Sequence, residues 1–182
     1  MSDWITDRPQ PVERLNWLKK HIAFDAVIDI GSGDVTGCST YFINQVFSDL
    51  PTYNYDKDPQ FSKHSNIVEL GVDNHLDDIL SNKIFNNAFY KIDVDGPELD
   101  ILAGSTNILQ NTSAIMIECV LDGNKFLNIC QWMKEHDWAL IDVIEPVYRK
   151  SMILIQVDLV FVKAETFKQI ESKCWADAPD SK

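Results

Sequence analysis

Val27-Ile28-Asp29-Ile30-Gly31-Ser32-Gly33-Asp34-Val35-Thr36-Gly37 decides the fold, because an apolar run of strand length feeds directly into closely spaced glycines. Glycine has no Cβ, so the chain can turn sharply there and bring backbone N–H groups against a ligand of nucleotide size. Asp29 refines that reading. It lies two residues before the first glycine, still inside the strand, where a dinucleotide-binding loop ordinarily carries an apolar residue. An acid in that place suits a ligand bearing a positive charge better than a pyrophosphate. A helical pattern follows from about Cys38 to Phe47, with Tyr41, Phe42, Ile43 and Val46 apolar, which completes a strand, glycine loop and helix.

Upstream, Pro11 to Ile22 reads as a helix: Pro11 suits a first helical position, and Val12, Leu15, Leu18 and Ile22 recur at helical spacing. Downstream, strands are expected at Phe24–Ile30, Thr52–Tyr55, Asn66–Val72, Ala88–Val94, Ser113–Val120, Trp138–Ile144 and Gln156–Lys163. Helices are expected at Leu76–Leu80, from Pro97 to about Leu109, at Asn124–His136 and from about Glu165 to Lys173. The last two strands are joined by a loop starting at Glu145, too short for a helical crossover, and therefore run antiparallel. The pattern predicts an α/β fold, a mostly parallel sheet with helices on both faces and a C-terminal antiparallel hairpin.

At 182 residues and 45% hydrophobic content the chain can bury one core, and no linker or internal repeat divides it. We read one domain over residues 1–182: a helical extension at 1–23, the sheet core at 24–163, and a short helix with a polar tail at 164–182. The formal charge of −12 opposes binding to nucleic acid or to an anionic membrane. The N-terminus lacks the basic start and apolar run of a signal peptide, and no stretch reaches the roughly eighteen apolar residues of a membrane span. Cys38, Cys119, Cys130 and Cys174 show no CxxC spacing, so reduced thiols and a cytoplasmic location are expected. No metal site is expected, since none of the four histidines has HExxH spacing.

In open α/β sheets ligands bind beyond the carboxyl ends of the strands, where strand order reverses. Five acids gather at that edge: Asp29, Asp56, Asp93, Asp95 and Glu118. Asp56 can start the Asp56-Lys57-Asp58-Pro59 turn or accept the ribose hydroxyls of a nucleoside, and the upstream glycine loop favours the second. Asp95, Glu98 and Asp100 surround a helix N-terminus whose dipole stabilises acids, and Asp77 and Asp78 read as first-turn or cap residues. Asp93 and Glu118, near the ends of buried strands, need a partner or a ligand to offset desolvation. Lys91, two residues before Asp93 and on the same side of the strand, is the candidate partner.

Lys91-Ile92-Asp93-Val94-Asp95-Gly96-Pro97-Glu98-Leu99, followed by Ile101-Leu102-Ala103-Gly104, resembles the signature of the FkbM-type methyltransferases, a family dependent on S-adenosylmethionine. The resemblance runs from Phe24 to Lys163 and takes in Val27–Gly31, Asp56, Leu76-Asp77-Asp78-Ile79, Ile115-Met116-Ile117-Glu118 and Asp158–Val162. It implies a Rossmann-like methyltransferase sheet that moves a methyl group to a hydroxyl oxygen of a sugar or another small metabolite. It further implies that Gly31, Ser32 and Gly33 pass under the cofactor's amino-acid part, that Asp29 shapes that loop and favours its ammonium, and that Asp56 holds the ribose. Asp93 then faces the methionine end or the acceptor, and Asp93, Glu98 and Glu118 are the candidate catalytic acids, with Asp73 the candidate for the adenine loop.

Two departures accompany the resemblance. Val35 stands where the family places a further glycine, which here comes at Gly37, and only about nine residues separate Asp56 from the next strand, too few for the usual helix. Without that helix the adenine side is open or covered by a partner chain, for which a homo-oligomer is the candidate. Two rival readings are an NAD(P)-dependent oxidoreductase, since Gly31–Gly37 also fits GxGxxxG, and a Rossmann-like binding protein that has lost catalysis.

Overall fold

Four of the five residues of β1 (Ala26–Ile30) are apolar and all five are buried, as a strand covered on both faces requires. The computed structural model describes residues 10–33, 39–63, 65–67 and 75–176. Around β1 the described elements are α1 (Pro11–His21), α2 (Ser39–Val46), β2 (Thr52–Asp56), β3 (Asn66–Ile67), α3 (His75–Ile79), β4 (Ala88–Ile92), α4 (Glu98–Ala103) and α5 (Thr106–Gln110). They continue with β5 (Thr112–Val120), α6 (Lys125–Glu135), β6 (Trp138–Tyr148), β7 (Leu154–Lys163) and α7 (Ala164–Ala176).

The strands form one sheet in the order β3-β2-β1-β4-β5-β7-β6. Pairing is parallel from β3 through to β5, and β7 runs antiparallel to both β5 and β6. The chain therefore winds outward from β1 in both directions, and the crevice between β1 and β4 is the point where strand order reverses. Period-2 alternation distributes the core to two faces. Ile28, Tyr90, Ile115, Ile117 and Leu159 meet Leu76, Leu102, Ile108, Ile129 and Met133 on one face. Val27, Phe89, Met116, Val160 and Val162 meet Leu15, Leu18, Ile43, Phe47 and Ile170 on the other.

The helix expected from Pro97 to Leu109 is two helices. Gly104 ends α4, donating to Asp100 O at 2.9 Å, and Ser105, whose hydroxyl donates to Ile101 O at 2.6 Å, turns the chain into α5. Asp77 accepts the N–H groups of Asn107 at 2.9 Å and Ile108 at 3.0 Å, so it caps α5 from α3 instead of capping its own helix. The loop expected at Glu145 is displaced too: β6 continues to Tyr148 through a register shift between Ile144 and Val147, with Glu145 in the left-handed region at φ 50°. The turn itself closes between Arg149 and Ile153, where Arg149 N–H donates to Ile153 O at 2.9 Å. Among the described residues between β2 and β3, a single turn of 3-10 helix, Pro59–Phe61, stands where a crossover helix would be.

No helix among the described residues is long and apolar enough to cross a membrane. Cys119 and Cys130 are free thiols, the first buried.

Candidate active site

β1 ends in a turn that only glycine fits. Gly31 has φ +76°, and a Cβ there would lie 1.7 Å from the carbonyl oxygen of Asp93. The glycine is what lets the loop after β1 press against the loop after β4. Gly31 and Ser32 N–H groups both donate to Tyr55 O, at 2.8 and 3.2 Å, which ties the same turn to the end of β2. Asp56 completes it, accepting Gly33 N–H at 2.8 Å through Oδ2 and Asp58 N–H at 2.9 Å through Oδ1.

Beneath the turn lies a buried ion cluster. Asp29 is 0% exposed and Lys91 1%. Their positions are forced by register: Asp29 and Lys91 are Cα partners across β1 and β4, so their side chains emerge on the same face. Lys91 Nζ reaches Asp29 Oδ1 at 3.0 Å and Asp93 Oδ2 at 2.9 Å. Helix α2 supplies the remaining donors, Thr40 Oγ1 to Asp29 Oδ2 at 2.8 Å and Ser39 Oγ to Asp93 Oδ2 at 2.9 Å. Burial pulls the Lys91 ammonium down, but the charges of Asp29 and Asp93 outweigh it and hold Lys91 firmly protonated.

This geometry corrects the expected role of Asp29. Fully buried, with its two oxygens engaged by Lys91 and Thr40, it braces the loop from below and does not reach a ligand's ammonium. Glu98 is corrected likewise. It is 1% exposed, accepts Gly96 N–H at 3.1 Å, and pairs with Lys125 at 2.7 Å, so it fastens the β4 loop to α6 and cannot serve as a base at the crevice. Asp73, Val35 and Gly37 lie outside the described residues. Asp95 is exposed.

Asp93 and Glu118 do come together, their carboxyl groups sharing a hydrogen bond. Burial pushes Asp93 up, but the Lys91 charge and the hydrogen bonds from Glu118, Lys91 and Ser39 outweigh it and hold Asp93 below the ordinary carboxylate range. Burial, with Asp93's charge added, pushes Glu118 up to about 8. The two shifts run in opposite directions, as expected of neighbouring carboxyl groups of which the ionisation of one opposes that of the other. Gln156 donates to Glu118 from β7.

Asp158 is the residue that sequence reasoning passed over. It is the Cα partner of Glu118 across β5 and β7, and it is 5% exposed. Burial and the charge of Asp93 raise it to about 7, with Lys91 opposing. The signal was present: like Glu118, Asp158 is a lone acid within an apolar strand. Among the described residues no group of three or more His, Cys, Asp or Glu side chains could hold a metal ion.

Asp56, buried beside the glycine turn with its two oxygens taken by the Gly33 and Asp58 N–H groups, and Asp93, held by Lys91 and Ser39, are the acids nearest the loops after β1 and β4. The sheet order and this switch-point crevice define a class, the Rossmann-like methyltransferases. M. capricolum TrmK, solved in complex with S-adenosyl-homocysteine, is similar with a TM-score of 0.52 and 19% identity over 82% of this chain and 67% of that one. A Streptococcus thermophilus rRNA methylase gives 0.51 and 12% over 88% and 99%, and an uncharacterised Listeria monocytogenes serotype 4b protein gives 0.53 and 11% over 87% and 69%. At these identities the likeness is one of fold. A search of curated proteins finds no match. Residues 8–138 match the methyltransferase FkbM domain, and the chain belongs to that family.

Proposed function

We propose that the protein is an S-adenosylmethionine-dependent methyltransferase that methylates a hydroxyl oxygen of a sugar or another small metabolite. The observation that carries this reading is the glycine turn after β1 pressed against the Asp93 carbonyl, which sets the neighbouring Asp93 and Glu118 carboxyl groups beside the switch-point crevice. The family membership supports the reaction class, and the −12 charge supports a small acceptor over nucleic acid or a membrane surface.

When bound, the cofactor supplies an electrophilic methyl group on a sulfonium. Asp56 would hold its ribose, and the turn Gly31–Gly33 would pass under its amino-acid part. The acceptor hydroxyl loses its proton as its oxygen takes the methyl, so a base must stand within hydrogen-bond reach. Asp93, stabilised by Lys91 and Ser39, is a weak base and serves as the fixed acceptor that orients the hydroxyl. Glu118, once ionised, has the proton affinity of a base matched to neutral or mildly alkaline solution.

A thermal shift series tests the reading. S-adenosylhomocysteine at about 100 times its Kd should stabilise the protein by about 2.7 kcal/mol, whereas NAD or NADP should do nothing. Stabilisation by a nicotinamide cofactor alone would return the oxidoreductase reading, and silence to every ligand would favour a binding protein without catalysis. The single 3-10 turn between β2 and β3 is the observation that keeps the latter in view. Asp93→Asn should keep the S-adenosylhomocysteine shift and lose transfer; retained turnover would remove Asp93 from the reaction.

The pH profile follows from Glu118. Its base form accumulates as pH rises through about 8, so kcat/KM should climb with pH below that value and level off above it. In Glu118→Gln the climb should vanish along with most of the rate. An acid limb centred near the ordinary carboxylate range in the unaltered enzyme would assign the base elsewhere.

A further inference from the structure

The edge of the sheet opposite the crevice holds a second recess. β6 begins at Trp138 and β7 ends at Lys163, and the two residues are Cα partners on the edge from which the parallel strands start. Lys163 lies about 17 Å along β7 from Asp158, the partner of Glu118, at the usual rise per residue. Helices α4, α5 and α6 close over this edge and leave a cavity of about 330 Å³, open to solvent and lined by Leu102, Gln110, Trp132, His136, Trp138 and Lys163 among others. That volume is in the range of pockets for small organic molecules.

The walls are aromatic. Trp132 and His136 stand one helical turn apart where α6 ends, and their rings stack with centroids 3.7 Å apart and planes 14° apart. His136 Nδ1 is tied to Trp132 O at 2.7 Å, which holds the imidazole in place. Trp138 is buried, and Lys163 Nζ stands 4.5 Å from its ring centroid because register sets the two side chains together.

Lys163 gives the cavity its charge. Of the three N–H groups of its ammonium, one donates to Leu109 O at 2.7 Å, and the Trp138 ring faces the nitrogen. Among the described residues no carboxylate forms an ion pair with it. Burial holds the amine below the ordinary lysine range, and the charge of Asp137 works in the other direction. A half-buried cation without a counter-ion can still take a charge-assisted hydrogen bond from an anion, and the surrounding rings can take a flat apolar body.

We propose that this cavity is a second binding site, which takes a small aromatic carboxylate: the carboxylate pairs with Lys163 and the ring lies among Trp132, His136 and Trp138. The site is separate from the methyl-transfer crevice and does not depend on the function proposed for it.

Isothermal titration of the full chain with indole-3-acetate tests this, against tryptamine, which has the same ring and the opposite charge. Indole-3-acetate should bind about tenfold or more tightly than tryptamine, and Lys163→Met should abolish the preference. Since that change also removes the bond to Leu109 O, a second variant keeps the lysine: Gln110→Glu sets a negative charge at an exposed position lining the cavity. It should weaken indole-3-acetate about threefold or more and leave tryptamine at least as tight. Saturation with S-adenosylhomocysteine should leave the affinity for indole-3-acetate unchanged. Competition between the two would put the ligand in the crevice and overturn the proposal. Equal binding of the two indoles, no binding of indole-3-acetate at about 1 mM, or an unchanged preference in either variant overturns it as well.

Discussion

Lys91→Met is expected to destabilise the protein by about 3–5 kcal/mol, read as a lowered midpoint of urea unfolding at neutral pH. The reason is the company Lys91 keeps. Asp29 is 0% exposed, and Lys91 at 3.0 Å is the only cation in contact with it among the described residues. Methionine fills a similar volume but leaves that carboxylate uncompensated in a low dielectric, and Thr40 alone cannot satisfy it. The loss extends to Asp93, whose carboxylate would rise toward the ordinary range without the lysine beside it. A second variant separates charge from packing. Lys91→Met combined with Asp29→Leu removes both ions together and should recover most of the stability, because an apolar replacement of a whole buried pair is often nearly neutral. If the single variant costs under about 1 kcal/mol, the ion cluster does not brace the site as argued.

Gly31→Ala should be the next most damaging change. Its methyl group would start 1.7 Å from Asp93 O and 2.7 Å from the carbonyl carbon, both backbone atoms, with φ held at +76°. The left-handed conformation costs an alanine about 1–2 kcal/mol, and forcing the two loops apart adds about 1–3 kcal/mol. Activity should fall further than stability explains, since the loop pushed away is the one that carries Asp93. Separate measurements of the unfolding midpoint and of transfer by the folded fraction would show this; a variant with normal turnover once folded would mean that the Gly31–Asp93 approach does not position the acid.

Much of this was legible in the chain. The apolar run into Gly31 marks β1 and the crevice, and the Lys91–Glu98 motif marks the β4 loop against it. The lone acid in the apolar run Ile115–Val120 marks Glu118, because burying a charge demands a partner. What the sequence did not disclose is which acids face which way. Asp29 and Glu98 look as available as Asp93 when read along the chain, yet register places Asp29 under the turn against Lys91, and helix α6 brings Lys125 onto Glu98. Those contacts span 62 and 27 residues, and no local spacing encodes them. Asp158 stayed hidden because its meaning depends on lying opposite Glu118 in an antiparallel pair, a relation that exists only once the hairpin has folded back. Gly104-Ser105 could have been read as a helix break, but the apolar periodicity on either side masks it.

The Glu145–Pro146 irregularity in β6 has a consequence of another kind. β6 is the outermost strand, eleven residues long, and Leu140, Val143, Val147 and Tyr148 on it are exposed. A long apolar border with unpaired amide groups invites neighbouring chains to add themselves to the sheet. Proline contributes no N–H, and the left-handed Glu145 throws the pairing out of step midway along the strand. The kink thus works as a guard against chain-to-chain aggregation, leaving no uninterrupted ladder for an incoming strand to follow.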